Sequence, residues 1–154
     1  MVSVFCKIIE VCVFKFENDQ PRYLLLRRVK EETIYPGIWQ FVSGSVEDGE
    51  RATGAALREL EEETRLKPIA FWVVPHVSSF YDQNYDALNF SPLFAAQIQS
   101  GIDPVLSKEH DEWKWLSYED ARTKLVWPAQ REGLRIVHEY LIKGQEATTL
   151  TRIC

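Results

Sequence analysis

The chain has 154 residues, 45% hydrophobic and 27% charged, with a formal net charge of −5 at pH 7. That length suits one domain, residues 1–154, with one sizeable core. The negative balance excludes a general electrostatic grip on nucleic acid, and no stretch approaches the roughly 20 apolar residues that span a bilayer.

The first ten residues carry Lys7 and Glu10 and lack a signal-peptide pattern. Residues 8–16 are β-branched and aromatic and read as a strand. Residues 23–28 are a short apolar run ending in Arg27 and Arg28, and 18–21 is turn chemistry, so the pair reads as a hairpin. Residues 39–43 form a further short strand, and 44–49 a polar loop bracketed by glycines. Residues 51–64, rich in Ala, Leu, Glu and Arg, are the clearest helix. Strands follow at 69–81, 91–98 and 112–116, the last with Trp113 and Trp115 on one face and assigned to packing. Ser117 caps a short helix through Lys124. Pro128 opens the last helix, whose buried stripe is Leu134, Val137 and Leu141. The order of elements predicts an α/β/α sandwich around a mixed β-sheet. Three scattered cysteines, Cys6, Cys12 and Cys154, make neither a metal knuckle nor a disulfide framework, and read as reduced thiols of a cytoplasmic protein.

On the 51–64 helix, at roughly 100° per residue, Glu59, Glu62 and Glu63 share one arc. Ala56, Leu57 and Leu60 take the adjoining arc and can face the core, while Ala52 and Ala55 continue the acidic stripe toward the N-terminus. Three clustered carboxylates repel one another, and a hard divalent cation removes that penalty; carboxylate oxygens suit Mg²⁺ or Mn²⁺. Taken alone, the same pattern also describes a solvated acidic face.

The flanking residues add to this. Gly44, Glu50, Arg58, Glu59, Leu60, Glu62, Glu63 and Leu66 match, in order and spacing, a Gly, five residues, Glu, seven residues, Arg-Glu, an aliphatic residue, any residue, Glu-Glu, any residue, Gly and an aliphatic residue. This is the signature of the Nudix hydrolases, which the chain resembles. One position departs: the signature's Gly is Arg65 here, where a left-handed helix cap is expected. The stretch 39–50 looks like the family's dihydroneopterin triphosphate and dNTP pyrophosphatase branch, and Glu109-His110, Lys114-Trp115 and Trp127 follow in a matching order.

The resemblance implies hydrolysis of a pyrophosphate bond in a small phosphoanhydride such as a nucleoside or pterin triphosphate, with Mg²⁺ or Mn²⁺ as cofactor. It implies Glu59 and Glu63 as principal metal ligands with Glu62 close by, an acid at Glu109 that joins the metal or activates water, and a Gly44 backbone group near the metal. Arg58 and Glu50 form either a supporting pair that holds the loop to the helix or an ordinary surface pair. For the substrate, Arg27 offers a guanidinium fork, Lys7 a second cation and Ser43 a hydroxyl donor, while Trp39, Phe80 and Tyr81 can stack a ring or fill the core. His110 reads as an exposed structural histidine. Other Nudix substrates (dinucleoside polyphosphates, nucleotide sugars, oxidised nucleotides) and a non-catalytic binding module remain as alternatives, and the oligomeric state is open.

Overall fold

The structure, a computed structural model, describes the backbone of residues 1–154 and every side chain except those of Gln145 and Ala147. In chain order its elements are β1 (Ser3–Phe5), β2 (Ile8–Glu17), β3 (Gln20–Arg28), β4 (Trp39–Gln40), β5 (Val42–Ser45), α1 (Ala52–Thr64), β6 (Ala70–Asp82), β7 (Ala87–Gln97), β8 (His110–Leu116), α2 (Tyr118–Lys124), α3 (Pro128–Ile136) with a π-helical continuation Val137–Ile142, and α4 (Gln145–Leu150).

Side chains alternate across a strand, and the central strands bury both faces. β2 sends Ile9, Val11 and Val13 one way and Cys12 and Phe14 the other. β3 divides Leu24 and Leu26 from Tyr23 and Leu25 in the same manner. Two cores result. Ala55, Ala56 and Leu60 of α1 cover one. Ala121 of α2, Leu125, and Leu134, Val137 and Leu141 of the last helix cover the other. The expected sandwich and the expected stripe on the last helix are therefore present. Trp113 and Trp115 pack on the α1 side. Ala55 is a difference: it is wholly buried rather than part of the acidic stripe.

The sheet is mixed. β7 lies parallel to β1 and β2 and antiparallel to β6; β3 lies antiparallel to β2, β4 and β8. β2 pairs with β3 through residues 13–17 but with β5 through residues 8–11. The strands β2 and β3 thus part company halfway, and the β4–β5 segment enters the split. The hairpin turn is made by Asn18 and Asp19, both at positive φ (49° and 61°), which suits the right-handed twist of the flanking strands. β5 runs through Gly44 and Ser45, so the loop expected from residue 44 begins at Val46. β7 begins at Ala87, four residues before the expectation. β1 and α4 carry no strong sequence signal and were not expected. Ser117 accepts from the Asp120 amide at 3.2 Å and caps α2 as expected. Among the described residues no helix is long and apolar enough to cross a membrane.

α1 ends where the signature's glycine would stand. Arg65 occupies the left-handed cap (φ 60°, ψ 11°), its amide donating to Glu61 O at 2.8 Å. A side chain there costs about 1 kcal/mol relative to glycine. Arg65→Gly should therefore raise Tm by about 2–4 °C in a chain of this size, read by thermal melting. An unchanged or lowered Tm would show that the arginine cap carries no strain.

Candidate active site

The site is built where β5 passes beneath α1. A Cβ placed on Gly44 would overlap the Glu59 carboxyl carbon and its Oε1, so only a glycine at this point of β5 lets the Glu59 side chain cross the strand. Arg58, on the same turn, joins three parts of the chain: the loop, β5 and its own helix. Its Nε and a terminal nitrogen donate to the Glu50 carboxylate at 2.9 and 3.1 Å. The same terminal nitrogen donates to Ser45 O at 2.8 Å, and the other to Glu59 at 2.9 Å and Glu62 at 3.2 Å. The Arg58–Glu50 pair thus ties the loop to the helix and to β5. The bond from Arg58 holds the Glu50 carboxyl below its usual range.

Glu63 lies one turn from Glu59 and is 3% exposed. Burial first, then the charges of Glu109 and Glu59, push its carboxyl up to about 9, against a backbone hydrogen bond from Ser43. Its Oε2 is buried and has no hydrogen-bond partner. Glu59 is also raised, by burial above all, with Glu62 and Glu109 adding repulsion against Arg58. His110 is buried, not exposed as the sequence suggests. Its Nδ1, 3.9 Å from Glu63 Oε2, is unpartnered, and its Nε2 lies 3.1 Å from Gln40 Nε2. Burial and then Arg28 bring His110 down to about 4, so it is a neutral ring at pH 7.

Beside this group opens a cleft of about 960 Å³. Glu59, Gly44, Ser43 and Glu109 line it together with Phe80, Tyr81, Tyr35 and Trp127. Arg28 is the one basic side chain among the described lining residues, where Glu10, Glu59 and Glu109 are acidic. Several expected contacts lie elsewhere. Arg27 pairs with Asp111 (2.8 Å) and Glu112 (2.9 Å) and sits over the Trp39 ring, away from the cleft. A register shift falls between Arg27 and Arg28 in the pairing with β8, and it is Arg28 that lines the cleft. Trp39 packs against the core on the α2–α3 side, and Lys7 stacks over Phe5. Glu62 is exposed and turned to Arg58. Residues that sequence reasoning missed are Glu10, Gln40, Tyr35, Ser78 and Gln130. Glu10 alone left a signal, an acid in the β-branched and aromatic run 8–16, where Lys15 is the other charged residue.

Whether the residues suit a divalent cation is tested by the donor set. As the side chains stand, no three His, Cys, Asp or Glu among the described residues form a ready cage. Three observations nonetheless fit a hard cation: the buried, unpartnered Glu63 Oε2, the mutual repulsion of Glu59, Glu63 and Glu109, and the Gly44 gap that brings Glu59 to the cleft. The residues that would hold it are Glu59, Glu63 and Glu109, with Gly44 contributing backbone.

Residues 7–136 match the family model for the NUDIX domain. A dihydroneopterin triphosphate diphosphatase of Haemophilus influenzae is 31% identical over 124 residues, covering 72% of this chain and 75% of that one. An octanoyltransferase of Myxococcus xanthus is 31% identical over 130 residues. That match takes in 84% of this chain but spans only 36% of the relative's length. Among solved structures, a C. elegans Ap4A hydrolase in a binary complex superposes with a TM-score of 0.75 at 22% identity, over 90% of this chain and 99% of the other. That is a likeness of fold.

Proposed function

The chain belongs to the Nudix family, and on that premise we propose that it hydrolyses a phosphoanhydride bond of a nucleoside or pterin triphosphate, releasing pyrophosphate and a monophosphate with Mg²⁺ or Mn²⁺ as cofactor. We further propose that it does so as a single cytoplasmic domain over residues 1–154. The observation that carries this reading is one cleft lined by the Glu59 and Glu109 carboxylates and by aromatic rings, with the buried Glu63 coupled electrostatically to both acids. Its volume, about 960 Å³, is in the range of small-molecule sites. The diphosphatase from Haemophilus influenzae supports the triphosphate class.

When bound, the divalent cation neutralises phosphate charge and acidifies water in its shell. Glu59 and Glu63, on adjacent turns of α1, are the residues that would hold it. Arg58 and Glu50 fix the loop that carries Gly44 toward that helix. Arg28 adds the cleft's own positive charge beside the phosphates. Glu109 lines the cleft, whereas Glu62 is drawn to Arg58 and the surface. Glu109 is therefore better placed to take the proton of the attacking water.

Turnover with Mg²⁺ across a panel tests the substrate class. The panel holds the canonical dNTPs, GTP, dihydroneopterin triphosphate, a dinucleoside tetraphosphate and a nucleotide sugar. The expected result is the highest kcat/KM on a triphosphate. A preference of tenfold or more for the dinucleoside tetraphosphate or the sugar would replace this substrate, and no turnover of any would leave a binding module.

A further inference from the structure

Across the β2–β5 pairing from Ser43, the cleft has a polar floor that the phosphate chemistry does not use. Glu10, in β2, is 7% exposed, and Gln130, in the first turn of α3, is 8% exposed. Gln130 Nε2 donates to Glu10 Oε2 at 2.8 Å, and Ser78 also hydrogen-bonds the Glu10 carboxyl. The Gln130 Oε1 is buried and has no partner. Ser91, 2% exposed, lines the same floor. Buried acceptors left unmade are costly unless a ligand's donors complete them. Above the floor, Tyr35 and Trp127 meet edge to face with centroids 4.8 Å apart, and Phe80 and Tyr81 present half-exposed rings. The cleft therefore offers flat aromatic walls around a base rich in acceptors, a setting for a planar heterocycle that enters with its N–H edge down.

We propose that Glu10 and Gln130 recognise a 2-amino-4-oxo heterocycle, guanine or pterin, and so set the base specificity of the cleft. Both rings carry a ring N–H beside an exocyclic amino group, two adjacent donors that match a carboxylate, with a further donor for Gln130 Oε1. Adenine and cytosine place a ring-nitrogen lone pair next to their amino group. Uracil and thymine flank one N–H with two carbonyls. Each of those edges sets an acceptor against the Glu10 carboxylate, and buried polar groups left unpaired are what make such discrimination large. Burial raises the Glu10 carboxyl above its ordinary value, and paired N–H donors are what favour its charged form.

This inference rests on the reading of the cleft as a site for a heterocyclic triphosphate, so its test uses monophosphates, in which no anhydride bond is broken. Isothermal titration in Mg²⁺ compares GMP, neopterin monophosphate, IMP and AMP on the wild-type chain and on Glu10→Gln. IMP is GMP without the exocyclic amino group. Losing that bond to a carboxylate should weaken binding about tenfold or more on the wild-type chain, and AMP should bind more weakly still. In Glu10→Gln the GMP-over-IMP preference should collapse. The tighter of GMP and neopterin monophosphate identifies the natural ring, and either result supports the proposal. Equal binding of GMP, IMP and AMP by the wild-type chain, or no measurable binding of GMP and neopterin monophosphate, overturns it. The wild-type comparison can overturn the proposal even if the variant fails to fold. Wild-type turnover with no base preference would remove this floor while leaving the hydrolase, and selective GMP binding without turnover would do the reverse.

Discussion

Glu63→Gln is expected to lower kcat by about a hundredfold or more while leaving the fold intact. The carboxylate sits one turn from Glu59, nearly fully buried, with its Oε2 unpartnered. A lost interaction that a bound cation would make with the transition state commonly costs several kcal/mol, and every 1.36 kcal/mol is tenfold in rate. Glutamine keeps the shape and the hydrogen bond from the Ser43 amide but carries no charge. Because burial, Glu109 and Glu59 all oppose the charge of Glu63, the metal-free variant should melt at the same temperature as the parent or higher. Glu61 is the control. It is exposed on the far side of α1, its carboxylate 3.8 Å from Lys67. Glu61→Gln should change kcat less than twofold. Paired steady-state kinetics and thermal melts check this. Near-normal turnover in Glu63→Gln, or equal losses in both variants, would move the metal off this helix face.

Removing divalent metal should have the largest effect, with turnover falling about a thousandfold or more in excess EDTA and returning with Mg²⁺ or Mn²⁺. A triphosphate must enter a cleft whose lining carries Glu10, Glu59 and Glu109 against one guanidinium, Arg28, in a protein of net charge −5. Arg28 is already held by Glu32 at 3.2 Å and by Ile34 O at 3.1 Å. Without a cation the phosphates would meet like charge in a partly desolvated site. The melting curve should shift only modestly, since the two cores are built from apolar side chains and binding stabilises only by mass action. Turnover undiminished by chelator would exclude a metal mechanism.

The helix that bears the acidic cluster was legible because its carboxylates are local: spacings of three and four residues fix which side chains share a face. The two-faced strands were legible for the same reason, through alternation. What the sequence could not show depends on contacts between distant segments. Alternation places Arg27 and Arg28 on opposite faces, but which of them meets the cleft depends on which face of β3 the site occupies, and Arg28 continues the α1 face of Leu24 and Leu26. His110 is buried against Gln40, 70 residues away, so a loop histidine became part of the interior beside Glu63. Glu10 and Gln130 lie 120 residues apart and meet only because α3 packs against β6 and brings Gln130 over β2. The helix end shows the opposite case, since the left-handed cap expected at residue 65 forms even with arginine in the glycine's place.

The central claim, a pyrophosphohydrolase acting through the α1 carboxylates, is tested most directly by ³¹P NMR of the wild-type chain with Mg²⁺ and a nucleoside triphosphate. The spectrum should show pyrophosphate and the nucleoside monophosphate growing in equal amounts as the triphosphate disappears. Orthophosphate with nucleoside diphosphate as the products, or a triphosphate that persists through prolonged incubation, would contradict the account.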